Sequence, residues 1–249
     1  MHGSEPDERL EARRRLILAL DVPSVAEAER IAGELNEQVG VFKIGLELLF
    51  SGGANLAQRL TRDGARVFVD AKLLDIPNTV ERATAQIAGL GANYLTIHAQ
   101  DPKTLEAAVR GRGSSEMRLL GVTVLTHLTA GDLAAQGVGM TPEALALARS
   151  ELAHEAGLNG VVCSPREAAQ ISQRLPAPFM IVTPGIRSAE NTVAGDDQSR
   201  SASAYDAIRS GAHSIVVGRP ILRAANPVAA ATALVDEIAT ALADASGRS

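Results

Sequence analysis

The chain has 249 residues, 46% hydrophobic and 21% charged, enough for one large α/β barrel or two small domains. A net charge of −5 with only 2% aromatic residues excludes a basic, stacking surface for nucleic acid, and no apolar run reaches the roughly 18 to 20 residues of a membrane span. The single Cys163 excludes an intramolecular disulfide and is compatible with a reducing cytoplasm.

In chain order, residues 1–14 read as a flexible leader, charged throughout and without the apolar core of a signal peptide. A first strand is expected at 16–20. The helix at 24–39 opens on Ser24 with Glu27 three residues later, a capping arrangement. A second strand follows at 41–45, and Gly52-Gly53 read as a helix-breaking turn. The third strand is placed at 66–70, and the helix after it, 77–90, has Pro77 in its first turn. Further strands are expected at 94–98, 119–125, 160–163, 179–183 and 214–218. A helix at 141–156 opens with Pro142 and Glu143. The polar, glycine-containing stretches 111–116 and 189–201 read as mobile loops, and 243–249 as a loose end. Eight strand-helix alternations with no linker predict a single (β/α)8 TIM barrel domain over residues 15–245.

Such barrels carry their chemistry where the strands end. Those ends hold Asp21, Lys43, Asp70 with Lys72 and Asp75, His98, Thr126, Cys163-Ser164, Thr183 to Arg187, and Gly218-Arg219. Charges of both signs here suit a charged small molecule. The densest group is Asp70-Ala-Lys-Leu-Leu-Asp-Ile-Pro-Asn-Thr79, directly after the apolar Val67-Phe68-Val69. Strand alternation puts Asp70 and Lys72 on one face, the barrel interior, where unpaired charges are costly. Asp-x-Lys alone reads equally well as a structural ion pair; the second Asp, the Pro and the Thr at fixed offsets favour chemistry. Gly218 lets backbone approach an anion, and Arg219 offers a planar fork for phosphate oxygens, although Gly-Arg-Pro by itself is a turn with an exposed Arg. The five histidines show no metal-ligand spacing. His98 reads as a hydrogen-bonded barrel residue and Cys163 as a small buried hydrophobe. No Walker loop or nucleophile elbow is present.

The segment 70–79 resembles the signature of the orotidine 5'-phosphate decarboxylase family. Leu20-Asp21 and Phe42-Lys43-Ile44-Gly45 resemble that family's first-strand Asp and second-strand Lys. Thr183-Pro-Gly-Ile-Arg187 resembles the loop after its seventh strand, and Val217-Gly-Arg-Pro220 the phosphate end of its eighth, so the resemblance spans 16–220. It implies decarboxylation of orotidine 5'-phosphate (OMP) to UMP and CO2, the last step of de novo pyrimidine nucleotide synthesis, with no metal and no cofactor. Lys72 would stabilise the carbanion at C6 and protonate it, with Asp70 beside the leaving carboxylate. Lys43 would link the Asp residues in an alternating network and touch the ribose with Asp21. A cytoplasmic homodimer is implied, in which Asp75 and Thr79 reach the neighbour's site. A hydroxyl after the fifth strand would contact the pyrimidine: Thr126, with Thr129 its rival. Arg187, Gln198, Gly218 and Arg219 would hold the phosphate beneath a lid at 189–197, Asp196 and Asp197 being solvated loop charges. The chain departs from the family in two places. Leu74 stands where bacterial relatives often have His, and Gln100-Asp101-Pro102 replaces a Gly-rich run. Two other readings stay open: a Mg2+-dependent sugar-phosphate decarboxylase or aldolase on the same barrel, and a non-catalytic nucleotide-phosphate binder. Lys72 argues against the binder, because a binding site gains little from an ammonium beside carboxylates.

Overall fold

The computed structural model describes residues 5–175, 177–186, 202–245 and 247. Eight parallel strands close into a barrel in sequence order, β1 pairing with both β2 and β8. The elements run α1 (Glu5–Arg15), β1 (Leu16–Ala19), α2 (Val25–Leu35), β2 (Val41–Ile44), α3 (Leu46–Leu48), a π-helical turn (Leu49–Gly53), α4 (Ala54–Arg62), β3 (Val67–Leu73), α5 (Pro77–Gly89) and β4 (Tyr94–His98). They continue with α6 (Pro102–Arg112), β5 (Arg118–Val122), α7 (Ala130–Ala135), α8 (Pro142–Glu155), β6 (Gly160–Val162), α9 (Pro165–Arg174), β7 (Met180–Thr183), α10 (Ala204–Arg209), β8 (Ser214–Val217), α11 (Arg219–Leu222) and α12 (Pro227–Ala245).

Period-2 alternation sorts the strand residues into two apolar layers. Ile17, Val41, Phe68, Leu120, Val182 and Val216 fill the barrel interior. Leu18, Phe42, Val69, Leu95, Ile181 and Ile215 face outward and pack against the helices. Caps place the helix starts as the sequence predicts: Ser24 accepts from the Glu27 N–H, and Pro77 and Pro142 occupy the first turns of α5 and α8. Gly52 adopts φ 102° inside the π-helical turn, a conformation that favours glycine.

Every strand ends within three residues of its expected position: β4 and β7 end as expected, β5 stops three residues early at Val122, and β3 departs the other way. It runs on through Leu73, three residues past the expected end, and so carries the first part of the 70–79 segment on the sheet. The stretch 111–116, expected as a loop, instead begins as the last turn of α6. Residues 5–14, expected within a flexible leader, form α1 together with Arg15; the helix buries Ala12 completely and lies against α12 with Arg9 3.1 Å from Asp236. A Glu11–Arg15 pair one turn apart supports this charged helix. The expected mobile stretch at 189–201 lies outside the described residues.

Candidate active site

On β2 and β3 the barrel interior changes from apolar to charged over one inward-facing step. On β2, Val41 is followed on the inward face by Lys43, which is 8% exposed. Its ammonium lies 3.2 Å from Asp21 Oδ1, just past β1, and 3.4 Å from Asp70 Oδ2 on β3. Gly45 makes room for this pair: a Cβ there would stand 3.1 Å from Asp21 Oδ1 and 3.2 Å from Lys43 Nζ.

Lys72 reaches the same carboxylate by a route that simple alternation does not give. The β3–β4 register shifts between Val69 and Leu73, and Lys72 takes φ 47°, a left-handed conformation rare for a non-glycine residue. Thr96 on β4 holds this bulge. Its hydroxyl accepts the Lys72 backbone N–H at 2.9 Å and donates to Asp70 Oδ1 at 2.8 Å. The Lys72 ammonium then donates to Asp70 Oδ2 at 2.8 Å. Asp70 Oδ2 thus receives two ammonium groups and Oδ1 one hydroxyl, and the charges form the series Asp21–Lys43–Asp70–Lys72. Strained backbone kept in place by such bonds is concentrated at functional sites.

Burial pushes the Asp70 carboxyl up, but Lys43 and Lys72, with hydrogen bonds from Lys72 and Thr96, outweigh it, so the group sits below its ordinary value of 3.8. A depressed carboxylate contributes stability that is present above the unfolded value and lost as pH falls through the folded one. Denaturant unfolding should therefore show wild-type stability falling more steeply than that of Asp70→Asn below about pH 4. Parallel pH profiles would contradict the ion-pair account.

The other expected residues divide clearly. Asp75 and Thr79 are exposed and lie outside this ion-pair series; Asp75 Oδ1 accepts the Ile76 N–H at 2.6 Å. Leu74 and Ile76 beside them are 52% and 66% exposed. After β5, Thr129 is taken up in the cap of α7, its hydroxyl 2.6 Å from Asp132 Oδ2. Thr126 is half-buried in the turn before it. Asp101 caps α6 by accepting the Lys103 and Thr104 N–H groups, which accounts for the absence of a Gly-rich run there. His98 ends β4 with its imidazole lowered by burial and by the Lys72 and Arg149 charges, against a smaller opposite effect of Asp70. Cys163 is buried, and burial with nearby Glu167 raises its thiol well above the ordinary range. Gly218 stands at the start of α11 and Arg219 is its first residue, exposed at the same end of the barrel. Arg187 and Gln198 lie outside the described residues, as does the expected lid. Among the described residues, no group of three or more His, Cys, Asp or Glu could hold a metal ion.

Two residues at this mouth were missed in the sequence. Thr96 passes as an ordinary β-branched strand residue; only its place two before His98, on the inward face, hints at a polar role. Arg149, from α8, donates to the Thr123 carbonyl at the end of β5, and no local pattern marks it.

The chain matches the model of the orotidine 5'-phosphate decarboxylase / HUMPS family over residues 14–234. It is 47% identical over 229 residues to an orotidine 5'-phosphate decarboxylase of Bradyrhizobium sp. (strain ORS 278), covering 92% of this chain and 93% of that one. It is also 47% identical over 229 residues to the protein of that name in Rhodopseudomonas palustris (strain BisA53), covering 92% and 96%. Its fold is similar to the crystal structure of orotidine 5'-phosphate decarboxylase from Lactobacillus acidophilus, with a TM-score of 0.80 and 32% identity across 90% of this chain and 99% of that one.

Proposed function

Because this chain belongs to the orotidine 5'-phosphate decarboxylase / HUMPS family, we propose that it converts OMP to UMP and CO2 by fixed charges alone. The observation that carries the reading is the Asp21–Lys43–Asp70–Lys72 series at the strand ends. Loss of CO2 from C6 leaves an electron pair in an sp2 orbital that the ring π-system cannot delocalise. Stabilisation must come from a charge already in position, and an ammonium ion held by a buried carboxylate supplies it without reorganisation. Lys72 faces the developing carbanion and then gives it a proton. Asp70 lies beside the substrate carboxylate, and departure of CO2 relieves that repulsion. Lys43 neutralises Asp70 and, with Asp21, binds the ribose. Thr126 contacts the pyrimidine, since Thr129 is engaged in its helix cap.

The protein acts as a homodimer in the cytoplasm, with Asp75 and Thr79 entering the neighbour's site. Support comes from their exposure beside the bare Leu74 and Ile76, with Phe50 also 90% exposed. Apolar side chains of that size gain by burial against a second copy. The barrel domain spans 15–245. No cofactor, metal, nucleic acid or membrane enters this account. The direct test is product analysis after incubation with OMP: one UMP and one CO2 per OMP consumed are expected, and unchanged OMP would overturn the reading.

Arg187, Gln198, Gly218 and Arg219 bind the phosphate, whose remote binding energy is used at the reacting carbon. Arg219→Ala should lower kcat/KM for OMP by roughly thirty- to several-hundredfold, as expected when a charge-assisted pair enclosed on substrate binding is lost. Orotidine without phosphate should be nearly indifferent to the substitution. Equal losses with both substrates would place Arg219 away from the phosphate.

A further inference from the structure

Arg149 is a cation with no obvious purpose in the mechanism above. It is half-buried on α8, and no salt bridge joins it to a carboxylate among the described residues. Its guanidinium donates to the Thr123 carbonyl at 2.5 Å. Burying a guanidinium costs more than burying an apolar side chain of similar volume, so helix packing alone gives no reason for its presence.

What Arg149 holds is the base of the turn that carries Thr126. Thr123 is fully buried, with its hydroxyl donating to the Val162 carbonyl at 3.1 Å. The next residue, Val124, is buried against Leu133, Leu145 and Ala146. The chain then reverses, the Leu128 N–H reaching the Leu125 carbonyl at 2.9 Å, and Thr129 locks the far end through its reciprocal cap with Asp132. The turn is thus fixed at both ends, and Thr126 and His127 occupy its two central positions. Arg149 is the charged member of the near-end clamp, and its field extends to His98 on the adjacent strand.

We propose that Arg149 is a positioning residue that fixes this turn against the pyrimidine ring, a role that rests on the OMP reading above. It acts through the Thr123 carbonyl rather than by touching substrate. The clamp sets where the Thr126 hydroxyl meets the base, and an error of about 1 Å at such a contact costs on the order of a hundredfold.

Two ligands separate this role from a general loss of structure. UMP presents base, ribose and phosphate, whereas ribose 5-phosphate lacks the base. By calorimetry, Arg149→Met should weaken UMP roughly tenfold or more while changing ribose 5-phosphate affinity less than about twofold. Arg149→Lys, which keeps a charged donor, should recover most of the UMP affinity. In a double-mutant cycle on kcat/KM, Arg149→Met should cost much less in a Thr126→Ala background than in wild type, because both changes remove one contact. Equal weakening of both ligands, or full additivity, would overturn the proposal. If Arg149→Met does not fold, the same ligand comparison and cycle are run with Arg149→Lys, whose shorter donor should give a smaller loss confined to UMP; a loss shared by both ligands would again overturn it. A folded wild-type protein that leaves OMP unchanged would refute the underlying reading instead, whatever the Arg149 variants do.

Discussion

Lys72→Ala should abolish turnover of OMP while the barrel stays folded. Lys72 leaves 31% of its side chain exposed and lies above the apolar interior layer, so its removal opens no core cavity. Asp70 would keep Lys43 at 3.4 Å and the Thr96 hydroxyl at 2.8 Å as partners. The reaction would lose both its proton donor and the nearest positive charge to C6, an expected drop of at least about 10⁴-fold. UMP binding should not tighten, because Lys43 alone would then balance both Asp21 and Asp70. Circular dichroism and thermal unfolding establish the fold, and a UV assay measures the rate. Substantial decarboxylation by a well-folded Lys72→Ala protein would remove Lys72 from the chemistry.

The shared-site arrangement predicts that two dead proteins restore each other. In a two-fold dimer, each site would combine Lys72 of one chain with Asp75 of the other. Lys72→Ala and Asp75→Ala homodimers should each be nearly inactive. In a mixed dimer one site lacks both residues, while the other receives an intact Lys72 from one chain and an intact Asp75 from its partner. Unfolding and refolding the two proteins together in equal amounts makes half of the dimers mixed, each with one good site. About a quarter of wild-type activity should then return. No recovery, with mixed dimers verified by mass spectrometry, would mean that Asp75 serves its own chain.

The strands were legible because a barrel strand is a short β-branched or aliphatic run with a polar residue where it leaves the core. That pattern marked Asp21 and Lys43 at the ends of β1 and β2 and Asp70 on β3, and the structure brings all three together. Features made between strands were not legible. Alternation expects Asp70 and Lys72 on one face, but the contact between them comes with a register shift against β4 and a left-handed Lys72, neither of which alternation gives. Thr96 owes its importance to that same pairing, and Arg149 to the packing of α8 behind β5. The helix α1 escaped notice for a related reason. Its residues lack an apolar stripe, and its hold on the barrel depends on Ala12 and on Arg9 meeting Asp236 far along the chain.

The central claim is that paired lysines and aspartates, with no metal or cofactor, perform the reaction. It is tested most directly by assaying the wild-type protein with OMP after exhaustive chelation and dialysis, in chelator-treated buffer. Both carboxylates of the series are already matched by lysines, so on this account full activity should survive. Activity that collapses on chelation and returns with Mg2+ would contradict this account and favour the metal-dependent sugar-phosphate chemistry of the same barrel.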